Sequence, residues 1–181
     1  MKLNIILPVI FALSSLGQQV SGFSQFNERT IHSVRRPASV SLQMNEDANT
    51  EDAKVCLITG SSRGIGKCIA MELVKSGNVK IVINDIEPMK EEAEKVAQEI
   101  RDAGGEAIVV TADCSNQDDI KAMFKKVIDE YGKCDVLVNN AGIARDALMV
   151  RMKPEQWQQV IDINLTGVYF ASQEFLKVRA L

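Results

Sequence analysis

From Lys54 onward, short apolar runs rich in β-branched residues alternate with longer segments in which apolar positions recur every three or four residues. The runs Val55–Thr59, Lys80–Asn84, Ala107–Ala112 and Asp135–Asn139 predict four strands. Helices are predicted between them. Pro88 opens one that passes Lys90, Glu94 and Ile100 and stops at Gly104–Gly105, the placement of Pro and Gly expected at helix ends. Ser115, with Asp118 three residues on, predicts a capping box for a helix through Ile120, Phe124 and Ile128 that ends near Gly132. A fourth helix is predicted from Pro154 past Trp157, Ile161 and Leu165. Such alternation implies an α/β fold, a doubly wound parallel sheet covered by helices.

Before Lys54 the pattern changes. Lys2 precedes an apolar run from Leu3 to Leu16, interrupted by Pro8, and Val20-Ser21-Gly22 offers small residues for cleavage. That is the layout of a secretory signal peptide over residues 1–22. It is too short for a membrane helix, which needs about 20 apolar residues. Residues 23–52 begin with Phe23 and carry Arg29, Arg35, Arg36 and several Ser and Thr, with Glu28 the one acid as far as Met44. This is the composition of a transit peptide, and an acidic linker with Glu46, Asp47, Glu51 and Asp52 follows. The tandem resembles the bipartite presequence of algae with secondary plastids, which implies plastid import. The alternative is an ordinary secretory signal followed by a linker.

Composition adds limits. With 181 residues, 46% hydrophobic and 25% charged, the chain can bury one ordinary core, and its net charge of −3 gives no sign of nucleic-acid binding. Cys56, Cys68, Cys114 and Cys134 form no CxxC pair, so neither a zinc site nor a disulfide framework is suggested. They read as small core residues in a reducing compartment.

The sequence TGSSRGIG, Thr59 to Gly66, stands between the first strand and the first helix. Glycine there lets a ligand phosphate approach exposed N–H groups at the positive end of a helix. A Walker loop is excluded: Ile65 stands five residues after Gly60, where that loop requires Gly, and Lys67 is followed by Cys68. The spacing Gly60-x-x-x-Gly64-x-Gly66 instead resembles the dinucleotide loop of the short-chain dehydrogenase/reductase family, a Rossmann-like fold. In that loop Gly60 makes the tight turn, Gly64 admits pyrophosphate and Gly66 packs helix on sheet; Ser62, Arg63 and Ile65 complete the candidate turn.

Further positions carry the resemblance. Asp85 ends the second strand, where an acid bonds the adenosine ribose hydroxyls. Asp113-Cys114 stands where the family places an Asp at the adenine edge. Asn139-Asn140-Ala141-Gly142 matches the family's NNAG motif, whose small residues lie against the cofactor while an Asn steadies the sheet. Asn164, in DINLTGVY, corresponds to the Asn of the catalytic tetrad. Within the family, the run from Asn139 to Phe170 is similar to the 3-oxoacyl-[acyl-carrier-protein] reductases. That similarity implies reduction of a 3-oxoacyl thioester by NADP(H) or NAD(H), acyl carrier protein as the partner that presents it, a homo-oligomer when full length, and a mature form free of the membrane. The cofactor stays open. Arg63 suits a 2′-phosphate and Asp85 repels one, so site chemistry leans to NAD(H) against a family tendency to NADP(H).

The family's Tyr-x-x-x-Lys is missing. Four residues after Tyr131 is Asp135, and four after Tyr169 is Gln173. The expectation is therefore that residues 53–181 form an incomplete dinucleotide-binding domain, with Asn164 the sole tetrad member present. A catalytically inactive dinucleotide-binding module, a short partner of full-length subunits, and another short-chain alcohol dehydrogenase or ketoreductase are the alternatives.

Overall fold

The computed structural model describes residues 53–179. The expectations for the signal and transit segments lie outside the described residues. Four parallel strands are present: β1 (Lys54–Ile58), β2 (Val79–Asp85), β3 (Glu106–Thr111) and β4 (Val136–Val138), in spatial order β3-β2-β1-β4. Helices α1 (Gly64–Lys75), α2 (Lys90–Asp102) and α3 (Gln117–Tyr131) connect them. After β4 come a single 3₁₀ turn (Met149–Arg151), α4 (Pro154–Ile161), a π turn (Asp162–Thr166) and α5 (Gly167–Arg179).

Alternation along β1 sorts the core into two layers. Val55 and Leu57 point to one face, where Ile120, Phe124 and Val127 of α3 and Ala171 of α5 pack. Cys56 and Ile58 point to the other, against Ala70 of α1 and Ala93, Val96 and Ile100 of α2. Both faces of the sheet are thus covered, which is why β1 and β2 read as continuous apolar runs. Register follows: Leu57 pairs with Val82 of β2 and with Leu137 of β4, and Val82 pairs with Ile108 of β3.

Several local expectations need correction. The Pro88 segment is a 3₁₀ turn, Glu87–Met89, with α2 beginning only at Lys90. Asn116, not Ser115, caps α3: its side-chain oxygen accepts from the N–H groups of Asp118 and Asp119 at 2.9 and 3.3 Å. Ser115 is occupied elsewhere, its hydroxyl and N–H both donating to Asp113 Oδ1. The predicted fourth helix is interrupted by the π turn, and β4 is two residues shorter than predicted, lacking Asp135 and Asn139. Asp135 instead accepts from the Val55 N–H through Oδ2. Of the cysteines, Cys56, Cys114 and Cys134 are buried, but Cys68 is exposed on α1.

Among the described residues, no helix is long and apolar enough to cross a membrane, and no group of three or more His, Cys, Asp and Glu is placed to hold a metal ion.

Candidate functional site

The chain leaves β1 toward β2 on one side and later returns to β4 on the other, so strand order reverses between β1 and β4. Open parallel sheets bind ligands in the crevice beyond the strand ends at such a switch point. A cleft of about 390 Å³ lies there, within the size range of small-molecule sites.

Its first wall is the turn from β1 to α1. Gly60 has φ +61°, and a Cβ on it would come within 2.8 Å of the Ala141 Cα. Gly66 is equally constrained, since its Cβ would lie 2.6 Å from Asn140 Nδ2 and 2.7 Å from the Gly60 carbonyl oxygen. Gly64, at φ +57°, faces open space. The α1 N-terminus has no side-chain cap and no acid in its first turn, which leaves its N–H groups and positive dipole end available to an anion.

The second wall is the NNAG turn, and one hydroxyl joins it to the first. Thr59 Oγ1 accepts from the N–H groups of Asn140 and Ala141, each at 3.0 Å. Asn140 Nδ2 donates back to the carbonyls of Thr59 and Gly60, each at 2.8 Å. Asn140 thereby ties the ends of β1 and β4 together.

The third wall is formed by the ends of β2 and β3. Asp85 lines the cleft, with its carboxylate fixed by hydrogen bonds: Ser62 donates to Oδ2 through both N–H and hydroxyl, and the Ile86 N–H donates to Oδ1. Asn84 is buried beneath it. Its Nδ2 donates to the carbonyl of Val110 at 3.0 Å, and its Oδ1 accepts from the Cys114 thiol at 3.7 Å. Burial first, then the neighbouring Asp113 and Asp85, pushes that thiol up to about 12, so it stays protonated and able to donate.

The sequence-predicted residues fall into two groups. Gly60, Arg63, Ile65, Asp85, Asp113 and Cys114, together with Asn140, Ala141 and Gly142, line the cleft. Ser62, Gly64, Gly66 and Asn164 are not among its lining residues. Asn164, exposed on the π turn, accepts through Oδ1 from the Ile143 N–H at 2.8 Å and donates through Nδ2 to the Ile143 carbonyl at 2.9 Å. Sequence reasoning missed Thr59 and Asn84. The available signal was a polar residue closing an apolar strand, a local disagreement that marks functional positions. Neither tyrosine lines the cleft: the Tyr131 ring lies beneath Lys80 Nζ, 5.1 Å from its centroid, and the Tyr169 hydroxyl accepts from Gln173.

Residues 54–179 match the short chain dehydrogenase family. A 3-oxoacyl-[acyl-carrier-protein] reductase of Synechocystis sp. is 47% identical over 126 residues, which are 70% of this chain and 50% of that protein. The reductase of the same name from Staphylococcus aureus is 45% identical over 121 residues, 67% of this chain and 48% of that protein. This chain spans about half the length of the curated relatives it matches. Among solved structures, a metagenomic short-chain oxidoreductase in complex with NADP superposes with a TM-score of 0.65 at 36% identity, covering 71% of this chain and 57% of that one.

Proposed function

We propose that this chain, which belongs to the short chain dehydrogenase family, holds a nicotinamide dinucleotide in the cleft beyond β1 and β4 and serves the reduction of 3-oxoacyl-[acyl-carrier-protein]. The observation that carries the reading is the turn from Gly60 to Gly66. Cβ atoms at Gly60 and Gly66 would strike backbone, whereas Gly64 borders open space beside an uncapped helix N-terminus. This is a cradle for pyrophosphate. When bound, the nicotinamide supplies the hydride; the residues of this chain bind and orient it. Acyl carrier protein as partner is supported by the names of the relatives. Homo-oligomerisation is supported by Trp157 and Leu165, which are 58% and 64% exposed.

Hydrogen exchange with and without NADH or NADPH tests the binding site. The expected result is slowed exchange at the amides of Arg63–Gly66 and Asn140–Ile143. Protection at another face of the sheet would contradict it.

A second reading, a dinucleotide-binding module without turnover, is supported by the position of Tyr131 and Tyr169 away from the cleft. For location, the composition of residues 1–52 supports import into a plastid through a bipartite presequence.

A further inference from the structure

Gly167 is a glycine that its own backbone does not require. Its φ of −61° and ψ of −40° are ordinary right-handed helix, and glycine weakens a helix interior relative to alanine. The requirement is steric. A Cβ at Gly167 would stand 2.6 Å from the Cys114 carbonyl oxygen and 3.2 Å from its carbon, and backbone atoms cannot move aside by changing rotamer. The Gly167 N–H also donates to the Asp162 carbonyl and so closes the π turn. Within that turn Asn164 is bonded twice to the Ile143 backbone, and Ile163 reaches the cleft. Cys114 and Ile143 belong to different walls of the same cleft.

We infer that Gly167 is a positioning residue of the dinucleotide cleft: its bare Cα lets the helix seat on the Cys114 carbonyl, and that seat holds the π turn where Asn164 reaches Ile143. The segment Asp162–Gly167 is then a strut between the two walls. Gly167 itself does not line the cleft and acts through Asn164. A methyl group at position 167 would lift the helix off Cys114, break the paired bonds from Asn164 to Ile143 and let the walls separate. The assignment rests on the dinucleotide reading of the cleft for its effect on affinity, but the strut itself is a property of the protein without ligand.

The test compares the full 181-residue chain with Gly167→Ala, Asn164→Ala and the double variant, by hydrogen exchange and by titration with NADH. Each single variant is expected to speed exchange at Ile143 to a similar extent, to leave β1, β2 and β3 protected, and to weaken NADH on the order of tenfold. The double variant is expected to be no worse than Asn164→Ala alone, because both changes act through one contact. Unchanged exchange at Ile143 in Gly167→Ala would overturn the inference, as would additive effects. So would uniform loss of protection across the sheet, which would make Gly167 a general stability residue. If the unaltered chain takes up no NADH, the dinucleotide reading fails, and the exchange at Ile143 still decides whether the strut exists.

Discussion

The Ser62 hydroxyl donates to Asp85 Oδ2 at 2.5 Å, and the Ser62 N–H donates to the same oxygen at 3.2 Å. The acid at the end of β2 is thereby fixed to the glycine turn, with one oxygen committed to the turn and the other to the Ile86 N–H. A carboxylate held this firmly cannot swing away from an approaching 2′-phosphate. It still lines the cleft beside Arg63, so the two charges oppose each other over cofactor choice.

Asp85 is expected to dominate that contest. Asp85→Ala should improve NADPH binding relative to NADH by about tenfold, which corresponds to about 1.4 kcal/mol. Calorimetric titration of both cofactors against both chains measures it. An unchanged ratio would show that Asp85 is a brace for Ser62 alone.

The glycines separate binding from folding. Gly66→Ala forces a Cβ into Asn140 and the Gly60 carbonyl and is expected to lower the melting temperature. Gly64→Ala meets no neighbour but adopts φ +57°, a strain of about 1–2 kcal/mol. It is expected to remain folded and to lose cofactor affinity, because its methyl group would project into the open space beside the α1 N-terminus where the proposed pyrophosphate is held. Thermal melts and titrations of the two variants give the comparison.

Much of this site is legible in the sequence because it is local. Gly60, Gly64 and Gly66 lie within one turn, and NNAG is contiguous, so spacing alone brings them to the ends of β1 and β4. What stays hidden is long-range pairing. That Thr59 would accept from Asn140, or that Gly167 would meet Cys114, depends on how distant segments cross. The cap of α3 is ambiguous in the sequence for a related reason: Ser115 and Asn116 are both good N-caps, and Asp113 takes up Ser115. The π turn has no sequence signature of the kind that periodicity detects, since Trp157, Ile161 and Leu165 keep a spacing of four across it.

The thiols make the fold sensitive to alkali. Burial pushes Cys56 up to about 11, and Cys114 and Cys134 up to about 12, from an ordinary value of 9.0. Above pH 9.0 the unfolded chain sheds thiol protons that the folded chain retains, so the unfolded state gains. Stability from these groups is full below that pH and is expected to fall progressively toward pH 11 and 12. Denaturant titrations across this range check it. Replacing all three by Ala should flatten the thiol contribution, and an unchanged slope would contradict the assignment.

Catalysis by this chain alone is not expected. Its two tyrosines lie away from the cleft and neither is followed by Lys four residues on. Without a positioned general acid, a contribution of about 10²- to 10⁴-fold is absent. Incubation of the 181-residue chain with an acetoacetyl thioester and either reduced nicotinamide should show no steady turnover; steady oxidation of the cofactor would contradict this expectation.

Targeting is tested with a reporter fused to residues 1–52 in an alga that has secondary plastids. The intact fusion is expected inside the plastid, and Phe23→Ala is expected to leave it outside. Secretion of the intact fusion would favour the ordinary signal peptide.

The central claim is that the cleft beyond β1 and β4 is built for a nicotinamide dinucleotide. Calorimetric titration of the 181-residue chain with NADH and NADPH, alongside Gly64→Ala, tests it most directly. Saturable binding of at least one cofactor at a single site, lost in Gly64→Ala while that variant still melts cooperatively, is the predicted result. No saturable uptake of either cofactor by the folded chain, or equal uptake by Gly64→Ala, would contradict it.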